Sequence, residues 1–375
     1  MPKPTLYTPI CDLFNIKYPI FSAGMGGIVS PSGPELAAAV SQAGGLGMLG
    51  GAFVPPEELR RWILQVREMT DKPFGVDTLI PFSVTQGNLD APMQLDAALP
   101  AEHAEFIARF ADKYDLGDLP EADIPIFDPV FIREQLEVVL DMAVPVYVAG
   151  IGDPGYLVGR AKELNLDMKI GVVVGAVRHA EKSLASGVDF MVAQGHDGGG
   201  HNAVVGTMAL IPQVVDAVAG RVPVLGAGSI MDGRQMVAAL ALGAQGVWCG
   251  SAFLATPEAR ITRGQKQMLI ETKETGTALT ARYSGKRARV IDGLFLQEAE
   301  KAGLPVLPMH QQLRMTDPIF RAADAQGRVD VNPGVAGQGV GMIREIRPAA
   351  DVLHAIVSEA AEILERGVVR VVSEQ

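Results

Sequence analysis

Residues 168–195 read MKIGVVVGAVRHAEKSLASGVDFMVAQG, and this stretch decides the fold. An apolar run, MKIGVVVG (168–175), is followed by AVRHAEKSLASG, where apolar residues recur at spacings of three and four, and then by a second apolar run, DFMVAQG (189–195). The runs are near-continuous rather than alternating, as expected of parallel strands covered on both faces, and the segment between them has the period of an amphipathic helix. The same unit recurs outward in both directions. PIFSAG (19–24), LGMLG (46–50), PFGVDTLI (73–80) and PVYVAG (145–150) precede it, and VPVLGAGSI (222–230) and GVWCGSAFL (246–254) follow it. Helical candidates such as PELAAAVSQAG, PEELRRWILQVREMTD, DPVFIREQLEVVLDMA and GRQMVAALALG lie between them. Eight strand–helix alternations predict a TIM (β/α)8 barrel. A doubly wound sheet is the alternative. It is disfavoured because the first glycine turn is not followed by an acidic ribose ligand.

Two segments break the rhythm. Residues 82–128 form a long insert after the third strand, on the side where barrels place their active sites, so a role in shaping the pocket is expected. Residues 257–332 leave the barrel pattern and carry a basic run, ARYSGKRARV (281–290). The expected organisation is a barrel over 1–256 with the 82–128 insert. A smaller appended α/β or mostly helical substrate (lid) domain then spans 257–332, and a segment at 333–375 ends in an amphipathic helix returning to the barrel.

Composition narrows the function classes. The 375 residues are 48% hydrophobic and 20% charged, enough apolar surface to offset the entropy of ordering, so a disordered chain is excluded. A net charge of −11 argues against sequence-independent nucleic-acid binding, which needs a basic footprint. No apolar run of about 18 residues predicts a membrane span, and MPKPTLYTPICDLFNIKYP has no signal-peptide pattern. Two cysteines, Cys11 and Cys249, make neither a disulfide framework nor a thiolate metal site, so a cytoplasmic location is expected.

Glycine carries the functional signal. The 42 glycines cluster as AGMGG (23–27), AGGLGMLGG (43–51), GHDGGGH (195–201), GAGS (226–229) and GVAGQGVG (334–341). Any one cluster is explained by a tight turn; five at one structural phase point to a shared ligand site, because glycine lets backbone approach a ligand closely. In barrels the turns after strands seven and eight hold phosphate on backbone N–H groups, which marks Gly228, Ser229, Gly250 and Ser251. His196 and His201 lie at the end of the sixth run. Their spacing, with Asp197 as the one carboxylate between them, does not make a metal site. His201 follows three glycines that clear room for something flat and bulky.

PIFSAGMGG, DKPFGVDTLIP, AQGHDGGGH and VPVLGAGSIMDGRQMVAALALGAQGVWCGSAFLAT, in that order along nearly the whole chain, resemble the nitronate monooxygenase family, formerly called 2-nitropropane dioxygenases. The resemblance implies an FMN-dependent barrel oxidoreductase. It places the catalytic histidine on His201 and flavin contacts on Ala23, Gly24, Met25, Asp77, Gln194, Gly199 and Gly200. The phosphate falls on Gly228, Ser229, Gly250 and Ser251, and Gln338 closes over the flavin. Asp77 departs from relatives that have Asn there; an ionised carboxylate would disfavour an anionic reduced flavin nearby. A strand-five lysine that some relatives use for the phosphate is missing from IGVVVG, 170–175.

The resemblance implies oxidation of alkyl nitronates by O2 to a carbonyl compound and nitrite, with His201 orienting the nitronate or taking the α-proton of a nitroalkane. The alternative is an NAD(P)H-dependent FMN reductase of an enoyl or CoA thioester or a quinone. There His201 donates a proton, and Arg282, Lys286, Arg287 and Arg289 hold substrate phosphates; a solvated charged turn explains that basic run equally well. A third reading is a flavin- or phosphate-binding protein without turnover, since a barrel alone does not specify function. His196 is expected to tune substrate choice. The expected partners are a small-molecule substrate and O2, with neither nucleic acid nor membrane, and a homodimer is compatible with the reading.

Overall fold

The computed structural model describes residues 6–27, 30–80, 98–124 and 128–367. Residues 82–97 and 125–127 of the expected insert, and the ends 1–5 and 368–375, lie outside the described residues. Eight parallel strands form the barrel: β1 (Ile20–Ser22), β2 (Gly47–Gly50), β3 (Phe74–Leu79), β4 (Val146–Ile151), β5 (Lys169–Val174), β6 (Phe190–Gln194), β8 (Val224–Ala227) and β9 (Gly246–Cys249). Their spatial order is β1-β9-β8-β6-β5-β4-β3-β2. Leu46, just before β2, bridges to Phe21 of β1; its N–H donates to the Ile20 carbonyl at 2.9 Å and its carbonyl accepts from the Ser22 N–H at 3.0 Å, which brings the two edges together. Each apolar run of the sequence supplies one strand.

The period of two divides those runs between two cores. Val146 and Val148 of β4 and Phe190 and Val192 of β6 point into the barrel, while Tyr147, Ala149, Met191 and Ala193 point out under the helices. A short helix, Ile10–Phe14, plugs one end: the Phe14 ring meets Phe21 and Phe190 edge-on, both at 5.0 Å. The interior is so filled that a Cβ at Gly171 would lie 2.4 Å from the Phe190 ring. The C-terminal helix Ala349–Arg366 packs against helices Pro34–Gln42 and Gly233–Ala241 on the outside of the barrel.

A second core stands apart from the barrel. Phe295 is at its centre, edge-on to Phe106, Phe110 and Phe320 at 6.1, 5.6 and 5.2 Å. It joins helix Ala101–Lys113 of the insert to helices Leu294–Lys301 and Met309–Ala325. Its sheet is antiparallel, in the order β10 (Thr277–Thr280), β11 (Ala288–Ile291), β7 (Gly200–His201). The appended part is therefore mixed α/β. Its third strand comes from the connection that follows β6, so the GGH segment is built into the sheet of the second unit.

Candidate active site

The C-terminal ends of the barrel strands open into one cavity with about 1770 Å³ of free space, counting its mouth, and the second unit roofs it. Ala23, Gly24, Met25, Asp77, Gln194, Gly199, Gly200, His201, Gly228, Ser229, Gly250 and Ser251 all line it. Turns separated by more than 200 residues thus converge on one volume, because every parallel strand delivers its C-terminal end to the same face.

Two turns supply unused donors. After β8 the chain turns through Gly228 (φ 118°), a conformation that glycine adopts at little cost, and Ser229 (φ 52°), in the left-handed region that non-glycine residues adopt uncommonly. After β9 it enters a single 3₁₀ turn, Ser251–Phe253. Among the described residues the N–H groups of Ser229, Ile230, Ser251 and Ala252 donate to no protein acceptor. Peptide donors left open beside a cavity suit an anion. The two serine hydroxyls differ. Ser229 Oγ donates to the Asp197 carbonyl (2.6 Å) and accepts from Gly339 N–H (2.9 Å), so its proton is committed. Ser251 Oγ accepts from Gly337 N–H (2.8 Å) and keeps its proton for a ligand.

The opposite wall is fixed by a residue that the sequence did not single out. Ser32 is buried, and its Oγ accepts from Met25 N–H (3.0 Å) and donates to the Ala23 carbonyl (2.9 Å), holding the AGM turn in place. Behind this turn lies Asp77, 8% exposed, between Gly24 and Gly150. A Cβ on Gly24 would stand 2.2 Å from the Asp77 Cβ, and one on Gly150 would stand 2.7 Å from Oδ1. Burial pushes the Asp77 carboxyl well above the usual range, against the opposing effect of the Gly150 N–H. Burial thus biases it towards its protonated form, which lessens the expected conflict with a negatively charged ligand.

His201 pairs in register with Ala288 of β11, and its carbonyl accepts from Gln194 Nε2 at 3.0 Å. Its ring Nε2 lies 2.7 Å from Ser284 Oγ, and that hydroxyl reaches the Lys286 carbonyl at 3.3 Å. The hydroxyl can serve that carbonyl while accepting from Nε2–H, and this tautomer leaves a lone pair on Nδ1. Burial first, then the Lys286 charge, push His201 down to about 4. His201 is half-buried and lines the cavity, so it is reachable by a ligand. Ser284 and Tyr283 line the cavity too, and neither carried a sequence signal beyond its place in the basic run.

Other expected residues are placed elsewhere. Gln338 is exposed and does not line the cavity. Its neighbours Gly337 and Gly339 bind the two serines, so this segment closes on the site through backbone rather than through an amide side chain. His196 is also outside, with Nδ1 3.5 Å from Asp197 Oδ1. Arg282 is tied to Glu300 (2.6 Å), and buried Arg289 donates to the His196 carbonyl (2.9 Å) and to Thr277 Oγ1 (3.1 Å). These two arginines are struts of the second unit rather than phosphate ligands. Lys286 and Arg287 are exposed and lie beyond the cavity lining.

Open peptide donors, a buried acid biased towards protonation and a neutral histidine converge on one cavity, which gives the comparisons with known proteins a geometric meaning. A family model described as nitronate monooxygenase matches residues 7–359. The chain belongs to the nitronate monooxygenase family. A probable nitronate monooxygenase of Staphylococcus saprophyticus is 30% identical, covering 96% of this chain and 99% of its own. A putative monooxygenase of Mycobacterium tuberculosis is 34% identical over 87% of this chain and 90% of its own. Among solved structures, a nitroalkane oxidase from Streptomyces ansochromogenes superposes with a TM-score of 0.80 at 30% identity, covering 95% and 99% of the two chains. FabK from Thermotoga maritima superposes with a TM-score of 0.73 at 29% identity, covering 96% and 98%. The family and these neighbours make the chain an oxidoreductase acting on a small molecule. Among the described residues no helix is long and apolar enough to cross a membrane.

Proposed function

We propose that this chain is an FMN-dependent nitronate monooxygenase that uses O2 to convert alkyl nitronates to a carbonyl compound and nitrite. The open N–H groups at Ser229, Ile230, Ser251 and Ala252, with the Ser251 hydroxyl, fit the phosphate of FMN without a strand-five lysine. Ala23–Met25 and Asp77, whose carboxyl burial biases towards protonation, fit one edge of the ring, and Gly199 and Gly200 leave room for it. FMN held there supplies the redox chemistry of the reaction.

One observation carries the reading: burial holds His201 neutral on the cavity wall with Nε2 engaged by Ser284, and with the ring proton on Nε2 the lone pair on Nδ1 is left for substrate. A lone pair in that position accepts the α-proton of a nitroalkane, and the resulting imidazolium then stands beside the anionic nitronate. A nitronate arriving from solution draws a proton onto the same Nδ1, because an adjacent anion favours the charged ring. The enoyl or quinone reductase reading asks His201 to act as an acid, whereas burial disfavours the charged, doubly protonated form at neutral pH. Its phosphate ligands would include Arg282 and Arg289, which are engaged elsewhere.

The test follows the visible flavin band of the purified protein without oxygen. Propionate 3-nitronate, ethyl nitronate, NADH and NADPH are added separately. Fast bleaching by a nitronate and slow bleaching by either nucleotide is the expected result. Bleaching by a nucleotide alone transfers the protein to the reductases. A protein that cannot be loaded with FMN overturns both readings.

A further inference from the structure

Beyond His201 and Ser284 the cavity runs into an apolar pouch. Phe53 lies in the loop after β2, Leu79 and Ile151 stand at the ends of β3 and β4, and Met309 and Leu313 project from one face of helix Met309–Ala325. Leu313 is 2% exposed and packs with Phe53, Leu79 and Met309 as an apolar cluster separate from both main cores. The pouch starts beside the polar pair, since a Cβ on Gly285, next to Ser284, would lie 2.5 Å from the Met309 Cα. The only ionisable side chains on the whole lining are Asp77, His201 and Tyr283, with no lysine or arginine among the described residues. Residues 81–97 and 125–127, adjacent in sequence to this wall, also contain neither. Lys286 is the cation whose charge bears on His201. It is exposed and sits at the polar end rather than in the pouch.

On the reading of the site as a nitronate monooxygenase, we propose that this pouch makes the enzyme selective for nitronates with an uncharged apolar tail over nitronates with a second anionic group. The nitronate head meets the His201 side and the tail meets Phe53, Leu79, Met309 and Leu313. A carboxylate at the tail would enter an apolar wall with no cation to pair with, a costly desolvation. Each methylene that leaves water gains instead, by about fourfold in binding over the first few carbons.

The experiment uses the FMN-loaded enzyme and measures kcat/KM, by oxygen uptake and by anaerobic bleaching, for three sets of nitronates. The first is those of nitroethane, 1-nitrobutane and 1-nitrohexane. The second is that of 1-nitro-3-methylbutane, which replaces a carboxylate by an isopropyl group of the same shape. The third is propionate 3-nitronate. The expected result is a rise of about three- to fourfold per methylene, carried mostly by KM. The isopropyl compound should exceed propionate 3-nitronate by more than about tenfold. Met309→Lys, at the first position of its helix and only half-buried, should raise propionate 3-nitronate relative to its isostere. Lys286→Met should lower both equally. Rates that do not vary with tail length, or propionate 3-nitronate as the better substrate, overturn the proposal while leaving the family reaction intact. No reaction with any nitronate overturns the functional reading and this proposal with it.

Discussion

The protonation of His201 makes a quantitative prediction. Taking the folded value of about 4, roughly nine-tenths of the imidazole is neutral at pH 5, against about 3% for an ordinary histidine at 6.5. The sign follows from the cause: burial and Lys286 both oppose the charged ring, so the base form persists to lower pH. If Nδ1 takes the α-proton, kcat/KM for a nitroalkane added in its neutral form should be flat from pH 7 to about 5 and should fall only as pH approaches 4. At pH 5 that is about thirtyfold more activity than an unshifted base would allow. The assay is initial-rate oxygen uptake from pH 4 to 8, with fresh nitroethane and saturating FMN. His201→Gln should lose about 100-fold or more and with it the acid limb. Lys286→Met should move the limb upward but keep it below 6.5, because desolvation, the larger cause, remains. A limb at 6.5 in the parent enzyme, or activity that rises as pH falls, would refute the assignment of His201 as a buried neutral base.

Three further outcomes follow from the same contacts. Asp77→Asn should retain FMN, since the amide keeps the shape and a donor at a site where burial biases the carboxyl towards protonation, whereas Asp77→Leu should weaken FMN; equilibrium dialysis reads both. Ser251→Ala should weaken FMN by roughly tenfold through loss of a charge-assisted hydrogen bond. Ser229→Ala should act through the 337–339 segment instead, lowering thermal stability of the FMN-free protein as well. Gly171→Ala should destabilise by about 1–3 kcal/mol in urea unfolding, because the new methyl meets the Phe190 ring in a filled barrel.

The barrel was legible because its information is local. Eight apolar runs at helix-length intervals leave few topologies, and parallel pairing sends their ends to one face whatever the loops do. The glycine-marked positions were legible for the same reason: 228, 229, 250 and 251 follow directly from strand ends. The second unit was only partly legible. The insert 82–128 reads as a loop from its Pro, Asp and Ala content, yet helix Ala101–Lys113 contributes Phe106 and Phe110 to a core whose other half lies about 200 residues later. Hydrophobic period exposes a helix but does not identify the core it serves. The basic run misled for a related reason. Composition groups Arg282 and Arg289 with Lys286, while alternation along the chain and the pairing of β11 turn two of the four into internal struts.

The placement of His201 ties these two levels together. A histidine at the end of a barrel strand would owe its position to the barrel alone. Here the chain leaves β6, turns through Gly200 at φ 77° and pairs His201 with Ala288, while Asn202 N–H reaches the Arg287 carbonyl at 3.3 Å. Ser284, the partner of the ring, belongs to the same loop of the second unit, and Gln194 of β6 holds the His201 carbonyl from the barrel side. The histidine is thus held between the barrel, whose turns carry the open peptide donors, and the unit that contributes Met309 and Leu313 to the cavity wall. Ser284 and β11 hold the residue from the second unit while Gln194 holds it from the barrel, so its position on the cavity wall is set by the packing of the two units rather than by the barrel alone.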